Sequence, residues 1–296
     1  MRVFIKLLSI SFLFCSVIHV FSGVTCAAAQ QKGDSLNFLV IGFDNSPANT
    51  DVICVVSFDC GANMVRVLQI PRDSYISYGD RKGKINGFYL DNINSGKTND
   101  EALASLTAKV SDLLGIRIDG YVALTSDGFV DFIDYIGGVK LLLSDVPSQI
   151  RDSFGEENGI VSLDGKSALE FVRYRKNYNR GDLERLDAQK AFLKALFSDL
   201  KGRREFFSVF KFISKNDGIT FDINKTRSAS FALQNIGKIS SADFQIMTLP
   251  GEAEKIGDTW YYIINKPKAK QIVKEYFPYS VREFDVKNNF ITKLQL

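Results

Sequence analysis

Histidine is nearly missing from this chain. The single one among 296 residues is His19, and it falls inside an apolar N-terminal stretch. A Ser-His-Asp triad, a Cys-His pair and a His-ligated zinc site are thereby excluded from the rest of the chain. Cysteine is scarce as well, at four residues: Cys15, Cys26, Cys54 and Cys60. The first two belong to the N-terminal stretch. The other two flank one predicted strand, which holds them about 20 Å apart, beyond the reach of a disulfide. They read as two small thiols, in the core or near the surface. A basic excess is lacking too. Without Arg2 and Lys6, which lie before the apolar stretch, 35 basic side chains face 34 acidic ones. Nucleic-acid binders carry a clear positive surplus, so that class loses weight.

What is present begins with residues 7–24, apolar except for serines, His19 and Gly23. The length suits a bilayer crossing. Positive charge stands only on its N-terminal side, which places that side in the cytoplasm and the remainder outside. Ala27-Ala28-Ala29 also resembles a signal-peptidase site. The expectation is therefore a membrane anchor, or a cleaved secretory signal, over 1–29 and a polar linker over 30–35. A domain over 36–278 and a C-terminal tail over 279–296 follow.

Strand and helix signals alternate after the linker. A continuous apolar run predicts a buried strand over 36–43, with further strands over 52–58 and 64–70. Thr98 or Asn99 caps a helix whose apolar residues Leu103, Leu106, Val110 and Leu113 keep helical spacing, and Gly115 ends it. A strand over 121–124 follows, then a helix capped by Ser126 and closed by Gly137-Gly138, then a strand over 139–143. Helices are predicted over 164–171, 182–200, 225–236 and 268–276, with strands over 219–223, 244–249 and 260–264. No repeat and no low-complexity segment follows the linker. The pattern predicts one α/β domain with helices packed on a central sheet.

Chemistry must then come from carboxylates, arginines, lysines, hydroxyls and a hard metal ion. Asp44 ends one predicted strand and Asp51 starts the next, so a short loop lets their carboxylates face each other. With phosphate oxygens they suit magnesium, which asks for few protein carboxylates. On spacing alone, a local turn at Asp44 and a strand-end cap at Asp51 fit as well. Arg72 and Asp73 follow Pro71 at a strand exit, placed either for function or as a surface ion pair. Arg173, Arg175, Arg180 and Arg185 fall within thirteen residues, followed by Gln189. In an extended chain after Phe171, Arg173 and Arg175 point the same way. Arg185 and Gln189 share a helix face near a helix start that favours an anion. Guanidinium forks match phosphate oxygens; a solvated basic face is the other reading. The 24 phenylalanines divide between core and a groove for a long apolar ligand in a proportion composition leaves open.

Ordered blocks across this chain resemble the LytR-CpsA-Psr family. They are Phe38-Leu39-Val40-Ile41-Gly42-Phe43-Asp44, Thr50-Asp51-Val52-Ile53, Ile70-Pro71-Arg72-Asp73-Ser74-Tyr75 and Gly83-Lys84-Ile85-Asn86. Further on come Asp127-Gly128-Phe129 through Gly137-Gly138-Val139, then Leu163-Asp164-Gly165-Lys166-Ser167-Ala168-Leu169. Phe171-Val172-Arg173-Tyr174-Arg175 and Gly181-Asp182 through Arg185 and Gln189 close the series. No block is specific alone; their number and order are.

The resemblance implies an α/β domain with a central mixed sheet flanked by helices, exported on one N-terminal helix. It implies a phosphotransferase that moves a glycopolymer from a polyprenyl-pyrophosphate carrier to peptidoglycan, with teichoic acid, capsule or another wall polysaccharide as cargo. By motif, Asp44 and Asp51 would hold magnesium, or manganese in its place. Arg72, Arg173, Arg175, Arg185 and Gln189 would hold the pyrophosphate, and Asp51, Arg72 and Arg173 would act in catalysis. A non-catalytic carrier-binding protein and a polyprenyl-pyrophosphate hydrolase are the competing readings. The implied partners are the lipid-linked glycopolymer, peptidoglycan and membrane lipid, without nucleic acid. Two positions depart from the usual pattern: Asn49 and Ala188 stand where arginines are common, which bears on phosphate affinity and acceptor choice.

Overall fold

The structure, a computed structural model, describes residues 35–43, 50–59, 62, 64–174, 182–201, 211–222 and 244–278. The expected leader, the linker except Ser35, Asp44, Asn49, Cys60, Arg175, Arg180, the helix over 225–236 and the C-terminal tail lie outside the described residues. Among the described residues no helix is long and apolar enough to cross a membrane.

Six strands form the central sheet: β1 (Ser35–Phe43), β2 (Thr50–Asp59), β3 (Met64–Gln69), β6 (Gly120–Leu124), β10 (Ile219–Asp222) and β11 (Phe244–Thr248). Their order is β10-β6-β1-β2-β3-β11. The sheet is mixed: β1 pairs antiparallel with β2 and parallel with β6, while β3 pairs antiparallel with β2 and parallel with β11. The C-terminal ends of β1, β3, β6 and β11 therefore share one edge with the start of β2. Open α/β sheets bind their ligands at such an edge.

Alternation along the strands divides two faces. Leu39, Ile41, Ile53, Val55, Leu68 and Ile70 face a core closed by α1 (Ile85–Asn94), α2 (Asn99–Leu114) and α6 (Lys266–Tyr276). Helix α2 starts as predicted, with a capping box. Thr98 accepts from the Glu101 N–H, and the Glu101 carboxylate accepts from the Thr98 N–H. On the opposite face, Cys54, Val65 and Val67 pack with Phe197 of α5 (Asp182–Lys201). A second core lies beyond, where α5 meets α3 (Ser126–Tyr135) and α4 (Gly165–Arg173). A small sheet of β7 (Val139–Leu142), β8 (Glu156–Glu157) and β9 (Ile160–Leu163) covers it.

Several elements depart from expectation. Helix α1 has no side-chain cap at Lys84 and hence no sequence signal. Its start hangs on the preceding turn through Ile85 N–H to the Ser74 carbonyl and Asn86 N–H to the Arg72 carbonyl. The hairpin of β4 (Tyr75–Tyr78) and β5 (Arg81–Lys84), and the strand β12 (Gly251–Ile256) paired with β13 (Thr259–Ile264), also lacked clear signals. Thr125, not Ser126, caps α3, accepting from the Gly128 N–H at 3.1 Å. Gly128 itself is required by contact: a Cβ there would stand 2.3 Å from the Gly218 carbonyl oxygen. Arg173 is the last residue of α4 and does not lie in extended chain, because the helix runs two residues past its predicted end.

Candidate functional site

The half of the sheet facing α5 leaves a cavity of about 210 Å³. Its walls are almost wholly carbon: Val40, Val52 and Cys54 from the sheet, Phe129 and Phe132 from α3, and Leu193 with Leu196 from α5. Phe129 and Phe132 line the slot, while Phe171 and Phe277 lie wholly in the cores. Burial pushes the Cys54 thiol from its ordinary 9.0 up to about 12, so it stays protonated and inert.

At the mouth of this slot the apolar lining gives way to charge. Asp51, Arg173, Arg185 and Gln189 all line the same cavity. Asp51 arrives there through a register break. Gly42 pairs with Val52 and Phe43 pairs with Thr50, leaving Asp51 as the extra residue of a β-bulge. Bulges re-aim a side chain at the edge of a sheet. Arg72 sits on the turn after β3, held by Ser74 N–H and Oγ–H donating to the Pro71 carbonyl at 2.9 and 2.6 Å. From that turn its guanidinium donates to the Asp51 carboxylate. Asp73 pairs with Lys84 at 3.1 Å, so Arg72 and Asp73 do not form the surface pair that spacing allowed.

The other two arginines come from the helices. Arg173, at the end of α4, donates from Nη2 to the Phe43 carbonyl at 3.0 Å and to Ser126 Oγ at 2.7 Å. These bonds tie the helix end to the tip of β1 and the start of α3. Arg185 is 1 % exposed, and its Nη1 lies 3.9 Å from Asp51 Oδ1. One turn on, Gln189 donates to the Val172 carbonyl at 3.1 Å. A solvated basic face is therefore ruled out for Arg185 and Gln189. Ala188 is fully buried in the second core, because the helix turns it away from the mouth.

Three participants escaped sequence reasoning. Gln69 is a buried amide in the slot wall, donating to the Leu186 carbonyl at 3.4 Å and accepting from Thr248 Oγ1 at 3.2 Å. A polar residue ending a mostly apolar strand is the available signal. Ser126 carries the signal of a helix cap, and the Phe43 carbonyl has no side-chain signature.

Asp51 is the one carboxylate lining the slot among the described residues. No group of three or more metal-binding side chains occurs there either. Among the described residues three guanidinium groups, of Arg72, Arg173 and Arg185, face one acid, which makes the mouth cationic. A site of this kind fits an amphiphile with an anionic head and a hydrocarbon tail.

An α/β protein with a cationic mouth over an apolar slot is the class that fold and site define. The chain belongs to the LytR-CpsA-Psr family: the model described as "LytR_cpsA_psr family" matches residues 19–277. It is similar to the polyisoprenyl-teichoic acid–peptidoglycan teichoic acid transferase TagU of Oceanobacillus iheyensis, 27% identical over 83% of this chain and 76% of that one. It is also similar to the enzyme of the same name TagV of Bacillus subtilis, 30% identical over 78% of this chain and 60% of that one. The crystal structure of B. subtilis TagV superposes with a TM-score of 0.64 over 84% of this chain and 100% of that one, at 27% identity. TagT bound to LIIa-WTA shares the fold, with a TM-score of 0.65 over 83% and 91% at 22% identity.

Proposed function

We propose that this chain is a glycopolymer transferase that takes its cargo from a polyprenyl-pyrophosphate carrier and passes it to peptidoglycan. The observation that carries the reading is the junction itself. Asp51, Arg173 and Arg185 line a slot whose walls are mostly carbon, and Arg72 joins them through its bond to Asp51. The diphosphate would sit among the guanidinium groups and the polyprenyl chain would lie against Val40, Val52 and the α3 and α5 side chains. Membership of a family whose similar members are named teichoic acid transferases supports the same reaction.

In that reaction a sugar hydroxyl of the acceptor attacks the phosphorus nearest the glycan. The bond from that phosphorus to the bridging oxygen breaks, and polyprenyl phosphate leaves. Arg72, Arg173 and Arg185 bind the phosphate oxygens and offset charge as it builds on them. Positioning carries much of the rate in such transfers. Asp51 would take the proton that the attacking hydroxyl gives up.

Magnesium takes one or two carboxylates plus substrate oxygens, so Asp51, with the Asp44 that the family resemblance adds, would hold such an ion. Bound there, it would supply further positive charge to the phosphates. Manganese would serve in its place. The domain would work outside the cytoplasm, held to the membrane through the apolar residues 7–24, where the carrier's tail resides.

The test uses purified protein, a polyprenyl-pyrophosphate-linked glycan and peptidoglycan. Arg173→Ala should lower transfer by about a hundredfold or more while the thermal transition stays cooperative. Unchanged transfer would exclude this mouth as the active site. Products made without peptidoglycan distinguish transfer from hydrolysis, and binding with neither product would mark a carrier-binding protein.

A further inference from the structure

The slot has a neighbour on the same edge of the sheet. Further along the same edge, over the C-terminal end of β11, a second cleft of about 260 Å³ opens. Its character is opposite to that of the slot. Asp187 and Lys190 of α5 face it, with Glu252 of β12, Tyr262 of β13, and Asn265 with Lys268 at the start of α6. Two acids and two lysines cancel, so the cleft favours neither an anion nor a cation. Ionic and amide groups spaced around a small volume suit a neutral ligand rich in hydroxyls, which offers donors and acceptors together.

Only a thin wall separates the two cavities. Leu186 lines both of them. Gln69 braces the wall, donating to the Leu186 carbonyl and accepting from Thr248, a lining residue of the cleft. A ligand in the cleft is thus held one residue's thickness from a ligand in the slot. Tyr262 is fixed in place by donating its hydroxyl to the Leu249 carbonyl at 2.8 Å. Two residues away on the same face of β13 stands Trp260, roughly 7 Å further out by strand geometry. It is 59 % exposed, the most exposed of the large apolar side chains among the described residues. An indole combines a flat apolar face with a polar N–H, which matches the C–H face and hydroxyl rim of a pyranose.

We propose that this cleft, extended by Trp260, binds the glycan strand of the acceptor and presents its hydroxyl to the neighbouring mouth. The inference rests on the transferase reading above and adds to it the acceptor's own subsite.

Trp260 is the only tryptophan in the chain, so its fluorescence reports the cleft without ambiguity and without catalysis. The full chain in detergent is titrated with soluble peptidoglycan glycan strands stripped of their stem peptides. A saturable change in emission is expected, with affinity weakened about tenfold in the Lys190→Ala/Glu252→Ala double variant. Both side chains reach solvent, so the variant should fold. In transfer assays the same variant should raise the KM for the acceptor and leave the KM for the lipid-linked donor unchanged. No fluorescence response in a protein that still transfers would overturn the proposal. So would an equal response to the released stem peptides alone, or an unchanged affinity in the double variant. A separate titration with polyprenyl pyrophosphate should depend on Arg173 and not on Lys190 or Glu252. Donor binding indifferent to Arg173 would count against the transferase reading while the glycan titration still judged the cleft.

Discussion

The two faces of the central sheet are built from the same strands and end differently. Leu39, Ile41, Ile53, Val55, Leu68 and Ile70 turn toward α1, α2 and α6 and are 0–2 % exposed. Val40, Val52 and Val56, interleaved with them, turn toward α5 and stay half-buried. Both sets are aliphatic, so hydrophobicity does not separate them. The difference lies in what covers each. Three helices close the first face. On the second, α3, α4 and α5 stand off and leave the slot. A face that is apolar yet incompletely filled serves ligand binding; a filled one serves stability.

Truncation at the filled face should have the largest effect on stability. Leu39→Ala should lose about 2–5 kcal/mol, measured by chemical denaturation, and Val40→Ala less than about 1 kcal/mol because its side chain already borders open space. Equal losses would erase the distinction between the faces. Filling the slot should have the reverse signature. Val52→Phe should leave stability within about 1 kcal/mol, since free volume receives the ring, and should weaken polyprenyl-pyrophosphate binding at least about tenfold. A well-folded Val52→Phe protein with full affinity would move the lipid elsewhere.

The smallest effect concerns Cys54, where the slot meets the sheet. Its folded pKa, about 12, lies above the ordinary 9.0 because burial disfavours the thiolate. The unfolded chain therefore releases this proton first. The corresponding stability is fully present below about pH 9 and is lost as pH rises toward 12. Tyr78, Tyr121 and Tyr262, also raised to about 12, add the same trend from their ordinary 10.0 upward. Cys54→Ala should flatten the decline between pH 9 and 10, read from denaturation midpoints. An unchanged slope would place the thiol in contact with water.

Much of the fold could be read from residues in order. β1, β2 and β3 followed from apolar runs, and α2 from its Thr98 cap and its Leu103-Leu106-Val110 spacing. These signals are local, set within one turn or one pleat. Helix α1 escaped because its start depends on the carbonyls of Arg72 and Ser74, not on a capping side chain. Arg173 would lie in extended chain only if the helix ended at Phe171, whereas α4 carries it to the mouth as its final residue. The role of Ser126 was misread for a related reason. Thr125 beside it took the cap and freed the Ser126 hydroxyl for Arg173.

By itself, the sequence determined that the chemistry lacks histidine, that the domain alternates strand and helix, and that arginines, an acid and an amide are its polar tools. Those properties follow from composition and short periodicity. Only the tertiary structure decided that Asp51, Arg72, Arg173 and Arg185 share one mouth and that a polar cleft adjoins it behind Leu186. Such meetings depend on strand order, on a bulge that turns Asp51 outward, and on hydrogen bonds spanning as many as 179 residues. No local preference along the chain encodes them.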